Sequence, residues 1–183
     1  MSIESFYGDW RRYNELVVAG LGRMSDNELA LRAASGDIES STHWPIWAIA
    51  GHTAAARVHW LCNAFGEPGQ DTTPFRDPDG PGWEDDLDHP RTVDELVEAW
   101  TTTWAVVEHC LATWTPDMLD GAVAREGARG IVHLTRRSIL LRLISHDAYH
   151  VGEIALIQGI HGRPSIDLWP PGYHTVEAAA GLL

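Results

Sequence analysis

Two histidines, His146 and His150, stand four residues apart in the run HDAYH of a 183-residue chain. Residues at that spacing share one side of a helix, with Cβ atoms ~5–6 Å apart. Two imidazoles so placed can hold one divalent ion. At ~100° per residue, Ile139, His146, His150, Glu153 and Ile157 fall on one narrow, mostly apolar face, so the pair is expected to point inward. Two unpaired imidazoles on such a seam are costly, and a metal needs a third ligand from another helix. His52 is the candidate: it sits in IAGHTAAARVH, where Gly51, Ala54, Ala55 and Ala56 leave room for close helix approach or a pocket.

Three neutral histidines leave the charge of a divalent ion uncompensated and one coordination position open. That is the make-up of a reactive site rather than a closed structural one. Such an ion lowers the pKa of water or of a thiol, or polarises a carbonyl. Glu153, one turn beyond His150, is placed to orient a ligand imidazole or to act as acid or base; a helix-stabilising or dimer-contact glutamate is the alternative. Tyr149, ~60° from the ligand face, can donate to a substrate oxygen or simply pack. Trp44 and Trp47 precede His52 and are candidate pocket walls. His59 lies on the stripe of His52 but ~10 Å further along the axis, which favours a structural role. His43 is placed at a pocket mouth and His109 in packing or at the surface. His89, His133, His161 and His174 fall in loops or at helix ends.

Four stretches have the helical periodicity to position these residues. The first is Ile3 to Gly22, with Phe6, Trp10, Tyr13, Leu16, Val17 and Leu21 in step. The second is Pro45 to Phe65, proline suiting a first turn. The third is Thr92 to Trp114, opened by a Thr92/Glu95 capping box. The fourth is Thr135 to Gln158, with Gly159 and Gly162 as stops. Between them lie a polar segment at 25–42, a Pro/Gly/acid-rich surface loop after Phe65, and an irregular connection from Gly121 to Gly130 with room for a short extended piece. The expectation is an all-α four-helix bundle of amphipathic helices with long crossover connections. It forms one domain over 1–183, with a 163–183 tail packing on it, a turn at Trp169–Gly172 and one last helical turn near Glu177.

Composition narrows the partners. Thirteen basic against 26 acidic residues give a net charge of −13, which repels phosphate backbones and excludes nucleic acid and anionic membranes as partners. Apolar runs fall short of the ~18 residues that span a bilayer, and no signal-peptide pattern opens the chain. A cytoplasmic protein with Cys62 and Cys110 as reduced core thiols is expected.

The set His52, His146, His150, Gly152 and Glu153, with the segment HDAYHVGEIALIQGIHG, resembles the DinB/YfiT-like metalloenzyme family. Its pattern is one histidine in the second helix and H-x-x-x-H-x-G-[QE] in the fourth. The resemblance implies a four-helix bundle whose three histidines hold a divalent ion, zinc or nickel foremost, with water completing the shell. It also implies a small-molecule substrate and a homodimer. Some relatives are S-transferases using low-molecular-weight thiols such as bacillithiol or mycothiol; another is a mycothiol-dependent maleylpyruvate isomerase. The expected function is therefore a metal-dependent enzyme, a thiol S-transferase acting on a small electrophile. The alternatives are a metal-dependent isomerase or hydrolase and a non-catalytic, metal-stabilised bundle. A peptidase is excluded: Asp147 replaces the glutamate of H-E-x-x-H and is one methylene short, and the metzincin extension is absent. The D-P-D-G run at 77–80 reads as a solvated turn, since Pro81 breaks a calcium-loop register.

Overall fold

The computed structural model describes residues 1–33, 44–78, 80, 82–83, 85–127 and 130–171. After a 3₁₀ turn at Glu4–Phe6, helix α1 runs Gly8–Leu21. The single turn α2, Asp26–Leu29, follows, then α3 at Ile46–Val58, α4 at Val93–Thr113 and α5 at Arg136–Ile160. Of the four long helices, α3 packs against both α4 and α5, and α1 packs against α4. Side chains open these helices where the sequence has capping residues. Thr92 accepts from the Glu95 amide while Glu95 accepts from the Thr92 amide at 2.7 Å, and Thr135 accepts from the Ser138 amide at 3.2 Å. The α2 turn, within the segment expected only to be polar, is held by the same device through Ser25 and Glu28. His43, His174, Gly172 and the turn expected near Glu177 lie outside the described residues, as do Asp79 and Pro81.

An amphipathic second helix was the expectation. Instead, every residue of α3 is buried except His52. Its run of alanine and glycine lets α4 and α5 approach from two sides, and His52 is the one position at which this central helix opens outward. Trp47 is core rather than pocket wall, while Trp44 is half-buried. The helix then widens into a π-helical stretch, His59–Ala64, a geometry found mostly as short insertions at functional sites.

The connection before α5 corrects another expectation. In place of an irregular link there is an antiparallel hairpin, β1 (Ala122–Gly127) with β2 (Gly130–Thr135), paired from Ala122↔Thr135 to Gly127↔Gly130. Ile131 and Val132, neighbours that face opposite sides of the ribbon, are 72% and 49% exposed, so no one-sided apolar alternation announces it. Nor is the loop after Phe65 wholly a surface feature. Phe75 is fully buried, and the Arg91 guanidinium lies 5.0 Å from its ring centre. The backbone at Gly80 turns back to donate to the Asp77 carbonyl.

Beneath the histidines lies a buried ion pair that ties four helices. Arg57 of α3, with no exposed surface, donates to Asp147 Oδ2 of α5 and Asn14 Oδ1 of α1, each at 2.8 Å. Its guanidinium stacks 4.3 Å from the Trp100 ring centre of α4, and Trp10 Nε1 of α1 also donates to Asp147 Oδ2 at 2.8 Å. Past α5, Ile166 is buried against Gly20 of α1, where a Cβ would stand 2.5 Å from Ile166 Cγ1. Among the described residues no helix is long and apolar enough to cross a membrane.

Candidate metal centre

α5 buries a stripe through Ile139, Leu143, Asp147, His150, Ile154 and Ile157. His150 is on it; His146 and Glu153 stand at its edge, not in its middle as the helical projection suggests. That edge faces His52 across the α3–α5 seam. The three imidazoles converge there, with ligand atoms all within 4.8 Å of one another. Ring centres are 4.9 Å apart for His52–His146, 5.0 Å for His52–His150 and 4.4 Å for His146–His150.

Hydrogen bonds on the outer nitrogens decide which atoms face inward. Asp85 Oδ1 accepts from His52 Nδ1 at 2.9 Å, and Glu153 Oε2 accepts from His150 Nδ1 at 2.6 Å. A carboxylate oxygen only accepts, so both rings carry their proton on Nδ1 and present a bare Nε2 to the centre. His146 Nε2 lies 3.0 Å from His52 Nε2, and His146 Nδ1 is buried with no hydrogen-bond partner. An ion with nitrogens ~2.0–2.1 Å away in a tetrahedral shell would set neighbouring nitrogens ~3.3 Å apart. The convergence of one ligand atom from each ring within 4.8 Å suits a divalent cation.

The electrostatics agree. Burial pushes the His146 pKa down to about 3, helped by His150, His52, Arg142 and Arg57. Burial also lowers His150, against the opposing pull of Glu153. Both rings are neutral at pH 7, the form that binds metals. The sign for stability follows. In the unfolded chain these rings protonate near 6.5, but in the fold they resist. Their contribution is fully present above pH ~6.5 and is lost as the pH falls below it, for His146 down to about 3. Urea midpoints of metal-free protein should fall between pH 7.5 and pH 5, and H146Q, which cannot titrate, should flatten that decline.

Of the residues expected at the site, His52, His146, His150 and Glu153 come together. Tyr149 is 62% exposed and packs edge-on to His150, with ring centres 5.0 Å apart; Trp44 stands edge-on to His52 at 5.5 Å. His59 lies apart from the triad: Arg125 Nη1 donates to its Nε2 at 2.8 Å. His109 is an exposed residue of α4. Asp85 is the participant that sequence reasoning missed, because a loop acid 33 residues from its partner carries no spacing signal. Carboxylates that orient ligand histidines are typically worth 10–100-fold in metal affinity. D85N and E153Q are each expected to weaken zinc binding by about that factor while leaving one ion per chain, as competition with a chromophoric chelator would show.

A cavity of about 250 Å³ lies elsewhere, between Gly20, Ile46, Gln158 and Ile166. Neither thiol is poised for chemistry: Cys62 and Cys110 are free and buried, and burial raises Cys62 to about 11 and Cys110 further.

Comparison with known proteins agrees with this architecture. The sequence model of the DinB superfamily matches residues 6–154, from just before α1 into the last turns of α5. A crystal structure of a DinB-like protein from Bacillus cereus superposes with a TM-score of 0.65 at 18% identity, covering 92% of this chain and 98% of that one. No curated protein matches the sequence.

Proposed function

Because the chain belongs to the DinB superfamily, we propose that it is a metal-dependent enzyme whose ion, zinc or nickel, is held by His52, His146 and His150 and which transfers a low-molecular-weight thiol to a small electrophile. The observation that carries this reading is a convergent set of three imidazoles with no carboxylate among the ligands. When bound, the ion supplies Lewis acidity that lowers the pKa of a thiol or polarises an electrophile. The thiol comes from outside the chain, since Cys62 and Cys110 are buried with raised pKa values.

The chain's own residues divide the remaining work. Asp85 and Glu153 fix the rings of His52 and His150 and offset the charge of the centre. The Glu153 carboxylate takes the thiol proton as the sulfur forms its bond to the electrophilic carbon. The leaving group departs with the bonding pair, receiving a hydrogen bond from the Tyr149 hydroxyl. Trp44, edge-on to His52, gives the substrate an apolar wall. The same α5 exposes Leu141, Leu156 and Ile160 at 69%, 62% and 55% on its outer face. This face suits a homodimer, which sedimentation would read as twice the chain's mass.

The test is turnover. Chain stripped of metal and then loaded with zinc or nickel is incubated with glutathione, cysteine, bacillithiol or mycothiol against monochlorobimane. Turnover that needs the ion, and that falls in E153Q and Y149F at unchanged metal content, supports the transferase. Equal rates with and without metal, or none with any pair, would remove it.

A further inference from the structure

One layer further along the α3–α5 seam, the residues change character. Seven residues beyond His52, at the start of the π-helical stretch, stand His59 and Trp60. One turn before His146 on α5 stands Arg142, and the β1 strand brings Arg125 over the same place. Arg125 donates to His59 Nε2 at 2.8 Å, and its guanidinium lies 5.3 Å from the Trp60 ring centre; that of Arg142 lies 4.7 Å from the same ring. Two like charges are thus gathered on one indole. Burial and these two arginines together keep His59 neutral, so it offers no counter-charge.

Arg11, Arg12, Arg57, Arg136, Arg137 and Arg163 each pair with a carboxylate. Among the described residues Arg125 and Arg142 form no ion pair with any acid; Asp85, an acid acting on His59, is held by His52. Holding two guanidinium groups together without an acid is electrostatically unfavourable, and an anion relieves it.

We infer that Arg125 and Arg142 on the Trp60 face form an anion subsite beside the three-histidine centre, which takes the carboxylate or phosphate of the substrate while its reactive end reaches the histidines. Arg142 precedes His146 by four residues, ~6 Å of helix axis. The substrate is therefore a short molecule with an anionic group a few bonds from its reacting carbon. The hairpin gains a purpose: it delivers Arg125, which no helix of the bundle supplies. The inference deepens the proposed function but rests on residues outside the triad, so the two can fail separately.

Calorimetry on the full-length chain, with and without zinc, tests it using succinate, inorganic phosphate and the neutral succinamide. Succinate or phosphate binding with succinamide silent is the expected result, and the better of the two anions names the substrate class. R125Q and R142Q should each weaken that binding roughly tenfold or more, with zinc content unchanged, whereas R137Q, altering a surface arginine paired with Asp120, should not. H146A should retain anion binding in the metal-free state. Equal affinity for succinate and succinamide, no binding of any, or an R125Q/R142Q double variant that binds as the wild type does would overturn the subsite. A chain that binds succinate but no zinc would leave the subsite standing and remove the metalloenzyme reading.

Discussion

Purified H146A protein is expected to lose stoichiometric divalent metal, and H52A to do the same. His146 and His52 present Nε2 atoms 3.0 Å apart from two different helices, and among the described residues no fourth ligand joins the cluster. Removing an orienting carboxylate already costs 10–100-fold in affinity, so removing a ligand should cost well over ~100-fold. Thermal stability gives a second readout. At a zinc concentration ~100 times its dissociation constant, the ion adds ~2.7 kcal/mol to the wild type, and this increment should vanish in both variants. Their metal-free stability should stay near that of the metal-free wild type, because the His146 ring is only half-buried and its Nδ1 has no partner to lose. If either variant bound zinc at wild-type affinity by inductively coupled plasma analysis and chelator competition, the triad would be falsified as the ligand set.

The largest loss of stability should come from the tie beneath the site. R57M leaves the buried Asp147 carboxyl short of its main partner; D147L does the reverse to Arg57. Breaking a buried pair from one side costs ~3–5 kcal/mol, a large share of a domain's ~5–15 kcal/mol. The R57M/D147L double variant removes both charges, and similar exchanges elsewhere are often neutral or better. It should recover most of the loss, less what Trp10 and Asn14 forfeit as partners. Urea midpoints of the four metal-free proteins close the cycle. Single variants within ~1 kcal/mol of the wild type would show that the pair does not hold the helices together.

How much of this was legible in the sequence depends on how local each cause is. The four-residue step between His146 and His150 is local, and so are the Thr92 and Thr135 caps; these set the ligand pair and two helix starts. His52 stood out because only small residues surround it. Arg57 gives no such signal. Within AAARVH it carries no spacing motif, and its partners Asn14 and Asp147 lie 43 and 90 residues away. Asp147 itself drew notice only as a poor stand-in for a protease glutamate. The hairpin escaped because its strands expose Ile131 and Val132 and turn Leu134 toward the core without a regular alternation, leaving Gly127 and Gly130 as its clearest marks. The Asp85 bond and the Arg125–Trp60–Arg142 cluster are both tertiary, each drawing a loop or strand residue onto a helix that its own periodicity does not point to.

The burial of α3 on all sides bears on how the centre is filled and emptied. Its amide protons sit in a helix whose only opening is His52, so they should exchange with solvent only when the whole domain opens. The chain that carries Asp85 lies outside, with that side chain 69% exposed. It rests on α3 through the Arg91 side chain beside Gly51 but forms no helix, and its amides should exchange faster than those of α3. One ligand is therefore anchored to the slowest part of the molecule while its carboxylate belongs to a fast one. Release of an ion would follow the rhythm of the loop, not that of unfolding, and deuterium uptake at residues 85–91 should slow on metal loading while α3 stays unchanged.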